Sequence, residues 1–155
     1  MPALLSSYNS HEKPRVNRLV GKAGLEQIYK EMARAKSIRF WADLYAVESV
    51  FNKTIPKLSE AIFKNQIRTK EIIPDSPESK RASKRYAVGA GKYYSSRLAT
   101  KGEIRNDSAI FDNVVALFRI HEMNLYVVRI EDVTIAQSMK ALFDMAWDSA
   151  KQFIN

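Results

Sequence analysis

The chain has 155 residues, the span of one domain, and 46% of them are hydrophobic against 27% charged, the balance of a chain that can bury a core. It contains no cysteine, which excludes disulfides, thiolate metal sites and cysteine nucleophiles. Twenty-five Lys and Arg against 17 Asp and Glu give a formal charge of +8, an excess that can attract polyanions, although the charges are scattered and the plainer reading is a solvated basic surface.

Residues 1–12 are polar and irregular and read as a linker remnant or a loosely packed tail, ahead of a single domain over 13–155. Pro14–Val20 predicts a strand entering Gly21. Leu25, Ile28, Tyr29 and Met32 then recur at helical spacing, with Glu26, Lys30, Glu31 and Arg34 opposite. Ser37–Ala42 is rich in β-formers, and strand, helix and strand in so short a span predict a βαβ unit with parallel pairing. Residues 43–66 predict helix in two pieces, interrupted at Asn52–Pro56, with Thr54 capping the second. Arg68–Ile73 predicts a third strand, stopped by Pro74. A helix follows, with Asp75 as cap and Pro77 in its first turn, and ends before Gly89-Ala90-Gly91. Tyr93–Leu98 is read as irregular or a short strand.

Ser108–Phe111 and Val114–Ile120 flank Asp112-Asn113, residues that tolerate the positive φ of a tight hairpin turn. Leu125–Ile130 extends that hairpin to an antiparallel meander. Ile135, Met139, Leu142, Phe143, Ala146, Trp147, Ala150 and Phe153 line one face of a closing amphipathic helix. Thr134 and Gln137 have capping-box spacing at its start.

Chemistry is sparse along this chain. A hydrolytic triad would have to use His11, in the polar tail, or His121, in a turn after a core strand. No nucleophile elbow, P-loop or dinucleotide-binding glycine pattern occurs. Gly89-Ala90-Gly91 follows a helix, whereas a phosphate cradle precedes one. No cluster has metal-ligand spacing, so neither catalytic residues nor a metal or other cofactor is expected. No apolar run reaches the roughly 20 residues that span a bilayer, and the first residues are too short and uncharged for a secretory signal. A cytoplasmic protein without membrane contact is expected.

Lys80, Arg81, Lys84, Arg85, Lys92, Arg97, Lys101 and Arg105 form the densest basic stretch, interleaved with Tyr86, Tyr93 and Tyr94. Basic groups with aromatics can hold a nucleic-acid strand or a phosphorylated ligand; the competing reading is a solvated helix face whose tyrosines anchor a loop. Open α/β sheets bind ligands beyond the carboxyl ends of their strands, here Trp41-Ala42-Asp43 and Ile73-Pro74-Asp75-Ser76, where a helix start also offers N–H groups to an anion. The candidate ligand set is therefore Trp41, Asp43, Asp75, Ser76, Arg81 and Arg97. The alternative nucleic-acid set is Lys80, Lys84, Arg85, Lys92, Lys101 and Arg105. Trp41 as core and Asp75 as a simple cap are the bland alternatives.

Four segments in order carry a resemblance: Lys13-Pro14-Arg15-Val16 running into Gly21-Lys22-Ala23-Gly24; Ile73-Pro74-Asp75-Ser76-Pro77-Glu78; Asp112–Leu117; and Phe143 to Trp147 in the closing helix. Together they resemble the C-terminal effector domain of TrmB-type transcriptional regulators over about residues 13–151. That resemblance implies an α/β, phospholipase D-like mixed sheet flanked by helices, with a C-terminal antiparallel meander and a closing helix. It also implies a non-enzymatic domain that senses a small effector, a sugar or phosphorylated metabolite, and forms a homodimer. DNA would be reached only through a separate winged helix-turn-helix, for which the dozen residues before the domain are too few. Active phospholipase D enzymes carry His-x-Lys-x4-Asp. Here His11-Glu12-Lys13 is followed by Arg18 where the aspartate would stand, and His121-Glu122-Met123 lacks the lysine. A basic nucleic-acid module and a phospholipase D-related phosphodiesterase are the alternative functions.

Overall fold

The apolar spacings resolve, in a computed structural model describing residues 13–43, 54–102, 106–121 and 124–155, into alternating strands and helices. They are β1 (Arg15–Val20), α1 (Gly21–Met32), β2 (Ser37–Trp41), α2 (Thr54–Lys64), β3 (Arg68–Pro74), α3 (Pro77–Ala90), β4 (Tyr94–Ala99), β5 (Asp107–Phe111), β6 (Val114–Arg119), β7 (Tyr126–Glu131), α4 (Val133–Ser149) and β8 (Lys151–Ile154). The expected tail over 1–12 and the first helical piece after Asp43 lie outside the described residues. The described strands form one mixed sheet in the order β1-β7-β6-β5-β2-β3-β4-β8.

The meander forms as its turn chemistry predicts. Phe111 and Val114 pair across Asp112-Asn113, and Asp112 takes φ +46°, the left-handed region that Asp and Asn tolerate. β2, β3 and β4 pair in parallel.

The expected parallel pairing of β1 with β2 does not occur. β1 pairs antiparallel with β7, from Arg15↔Glu131 to Val20↔Tyr126, at the far edge of the sheet. The crossover through α1 carries the chain across the whole meander, a choice of partner that local periodicity does not encode. Gly21 makes the entry turn at φ +69°, with its N–H donating to Leu125 O at 2.9 Å. Gly24 then packs so closely on β1 that a Cβ there would lie 2.7 Å from the Leu19 carbonyl carbon.

Four helix ends also differ from expectation. α3 is capped by Ser76, whose Oγ accepts the Ser79 N–H at 3.1 Å, while Asp75 pairs with Lys80 instead. The helix runs through Gly89 to Ala90 and stops at Gly91, φ +54°. α4 is capped by Asp132, which accepts the Ile135 N–H at 2.7 Å, not by Thr134. It ends at Ser149, and the last residues pair with β4 as β8, so Phe153 packs with the core on the opposite face of the sheet.

Helices cover both faces of the sheet. α1, α2 and α3 lie on one, burying Leu25, Ile28, Ile62 and Ala82 against Ile38, Ile73, Leu98 and Val127. α4 lies on the other, with Phe143 and Trp147 against Ile72, Ile110 and Val115. Each large side chain fully buried this way contributes about 1.5–3 kcal/mol. Because α4 seats through Ala136, Phe143 and Trp147, Ile135 and Leu142, expected on its buried face, remain 36% and 54% exposed.

Candidate functional site

Strand parity sends Thr69, Glu71 and Ile73 of β3, and Tyr94, Ser96 and Leu98 of β4, toward α1–α3. Glu71 is 3% exposed and lies deep in this largely apolar layer. A buried carboxyl needs hydrogen-bond partners, and the Tyr94 hydroxyl donates to its Oε2. Ser83 Oγ of α3 lies 2.9 Å from that hydroxyl and 2.8 Å from Ser96 Oγ, completing a buried hydroxyl chain. Asp107, at the start of β5, approaches from the other side, and its Oδ1 accepts the Asp43 N–H at 3.0 Å. Ser79 Oγ in turn donates to Asp43 Oδ1 at 3.4 Å.

Between these groups lies a cavity of about 40 Å³, room for a few waters. Tyr29 of α1, Ser59 and Phe63 of α2 and Tyr86 of α3 close it above Glu71 and Asp107, and none of its described lining residues is Lys, Arg or His. Burial pushes the Glu71 carboxyl up to about 8, against the pull of the Tyr94 hydrogen bond, and the Asp107 charge adds to the rise. Burial likewise pushes Asp107 up to about 7, opposed by the Asp43 N–H and reinforced by the Asp43 charge. At neutral pH Glu71 therefore keeps its proton and can donate as well as accept.

The six sequence-derived ligand candidates do not converge. Trp41 points to the α4 face and stands edge-on to Phe143 with ring centroids 5.5 Å apart. Arg97 shares that face: its Nη1 donates to the Trp147 carbonyl at 2.6 Å, and its guanidinium lies 4.8 Å from the Trp147 ring centroid. Ser76 is the α3 cap, Asp75 pairs with Lys80, and exposed Arg81 lies 3.4 Å from Glu78. Asp43 alone reaches the cavity, through Asp107.

The basic set spreads over α3 and the turn after it. Lys84 Nζ lies 5.9 Å from the Phe153 ring centroid and Lys92 Nζ 5.4 Å from that of Tyr93. Arg85 and Lys101 are exposed, and Arg105 lies outside the described residues. Tyr86 and Tyr94 are buried, so these two aromatics do not stand beside the basic groups. His121 is exposed, as expected of a turn histidine. Glu71 and Asp107 were not singled out by sequence reasoning. The available signal was parity: Glu71 alternates with Thr69 and Ile73 on the inward side of β3.

No family model matches the sequence, and no curated protein does. Solved structures do match. Nuc from Salmonella typhimurium, a phospholipase D family member, superposes with a TM-score of 0.69 at 17% identity, over 92% of this chain and 100% of that one. NucT from Helicobacter pylori gives 0.66 at 13% identity, over 91% and 100%. TrmBL2, an archaeal chromatin protein, gives 0.58 at 17% identity over 99% of this chain, which spans 58% of TrmBL2. At such identities the likeness speaks for architecture alone, and it agrees with the strand order and flanking helices: the chain has a phospholipase D-like α/β fold.

Proposed function

We propose that this chain is the effector-sensing and oligomerisation domain of a TrmB-like transcriptional regulator, and that it works by binding without catalysis. The observation that carries this reading is the buried cavity on which Glu71, Asp107 and Tyr94 converge, with no histidine, lysine or arginine among its described lining residues. The sequence holds no His-x-Lys-x4-Asp, so the histidine nucleophile and its partners are missing from any reading as a phosphodiesterase. The likeness to TrmBL2, whose structure shows a mode of DNA binding, supports a regulatory setting. In that setting DNA contact belongs to a separate part of the regulator, and this domain supplies ligand recognition and a homodimer contact.

A thermal-shift screen tests the reading, because a ligand of the native state stabilises it by RT ln(1 + [L]/Kd). A rise in melting temperature with at least one small-molecule class, and no hydrolysis of a phosphodiester substrate, are expected. No response to any compound would leave only the dimerisation role. Turnover that disappears when His11 and His121 are both replaced would instead establish the phosphodiesterase.

One observation favours a second reading, a nucleic-acid module: the exposed basic residues Arg81, Lys84, Arg85, Lys92 and Lys101 on and after α3. Gel shifts across a salt series separate the two, since each phosphate contact adds a slope of about −0.9 in log K against log salt. Absence of binding at low salt would remove this reading.

A further inference from the structure

Resting on the sensing reading, we propose that the effector class is a small protonated amine, held in the aromatic cavity against Glu71 and Asp107. Six rings line that cavity: Tyr29, Phe40, Phe63, Tyr86, Tyr94 and Phe118. Aromatic faces carry negative potential and attract a cation within about 6 Å of the ring centroid. The two carboxyls add acceptor oxygens, and no lysine, arginine or histidine among the described lining residues competes for them.

Much of the hydroxyl capacity is already committed. The Tyr94 hydroxyl donates to Glu71, Ser83 bridges Tyr94 and Ser96, and Thr69 Oγ1 donates to the Ile67 carbonyl at 3.1 Å. The Glu71 and Asp107 carboxyls add acceptor oxygens to the lining, which suits a ligand that donates. A phosphorylated ligand would lose its hydration beside two acids with no counter-charge, a penalty that buried anions avoid by pairing.

Binding then carries a proton balance. A carboxylic acid that meets an ammonium ion releases its proton to solvent and becomes the carboxylate partner of that cation. Among the described residues, the titratable groups around Glu71 are Tyr94 on β4, Tyr29 on α1, Tyr86 on α3 and Asp107 on β5, with Asp43 beside Asp107; α2 contributes none to the lining. Affinity for the cation should therefore rise between about pH 6 and about pH 9, as the two acids lose their protons.

The test is calorimetric titration of the full chain with methylammonium and with ethylammonium, beside ethanol (the uncharged isostere of ethylammonium), glucose and glucose 6-phosphate. Expected is binding of an amine, tighter at the higher pH, with the isostere and the sugar phosphate silent. Glu71→Gln should weaken amine binding by about tenfold or more and flatten its pH dependence, with Asp107→Asn as a second variant should the first fail to fold. Equal binding of ethylammonium and its isostere would overturn the proposal. Binding of glucose or glucose 6-phosphate in place of any amine would also overturn it, while leaving the sensing reading intact. Silence from all five compounds overturns the cation proposal, and the sensing reading then rests on the wider thermal-shift screen.

Discussion

Glu71 and Asp107 tie the chemistry of the cavity to the stability of the fold. In the unfolded chain each ionises in the ordinary carboxylate range, whereas in the folded chain Glu71 keeps its proton to about 8 and Asp107 to about 7. Between those limits the folded state binds more protons than the unfolded state, so stability falls as pH rises. Their contribution is complete below the ordinary carboxylate range and is lost by about pH 8. Urea midpoints should therefore drop from about pH 5 to about pH 8, and Glu71→Gln should remove most of the drop; an unchanged slope in that variant would contradict the burial argument. Gly24 gives a second residue-scale prediction. Its missing Cβ would meet Leu19 backbone, which cannot swing aside as a side chain can, so Gly24→Ala should cost about 1–3 kcal/mol in denaturant melts. The Gly21-x-x-Gly24 spacing was legible in the sequence as a pattern, but its two physical reasons, a turn at positive φ and a close strand contact, are visible only in three dimensions. Glu71 was half legible, since parity places it inward. Asp107 was not, because the predicted strand begins one residue after it.

At the scale of elements, local rules read well and partners read poorly. The Asp112-Asn113 hairpin, the three meander strands and α4 follow from turn chemistry and periodicity, which are properties of neighbouring residues. The antiparallel partner of β1 depends on residues 126–131, far along the chain. Phe153 continues the spacing of α4 and so predicts helix, whereas the edge of β4 claims Lys151–Ile154 for the sheet. The caps were displaced in the same way, since several Asp, Ser and Thr residues compete near each helix start and geometry selects one. This gives a paired prediction. Asp132→Ala should destabilise by about 1 kcal/mol, as loss of a helix cap does, while Thr134→Ala should change stability by less than about 0.5 kcal/mol, as expected of a surface position. Comparable losses in both would contradict the assigned cap. Phe143 is fully buried, stacks on Trp147 at 5.9 Å and meets Trp41 edge-on. Phe143→Ala should cost about 3–5 kcal/mol by thermal or chemical melt.

The whole molecule places helices on both faces of a mixed sheet and keeps a buried polar network beneath α1–α3, which of the strand-tip candidates Trp41, Asp43, Asp75 and Ser76 only Asp43 reaches. The sheet itself separates Trp41 and Arg97 from the cavity. The exposed basic residues on α3 and the turn after it face outward and do not meet the buried acids. Recognition inside and charge outside are thus separate properties of one fold, which is why net charge alone pointed to a different partner. The central claim, that the interior cavity binds an effector, is tested most directly by melting temperatures of the natural chain and of Ser59→Leu, which fills the cavity from α2, across one panel of amines, sugars and phosphorylated metabolites. A ligand at a hundred times its Kd adds about 2.7 kcal/mol, or about 5–10 °C for a chain of this length. The account predicts such a rise for at least one compound in the natural chain and none in the folded Ser59→Leu variant; an equal rise in both, or in neither, would contradict it.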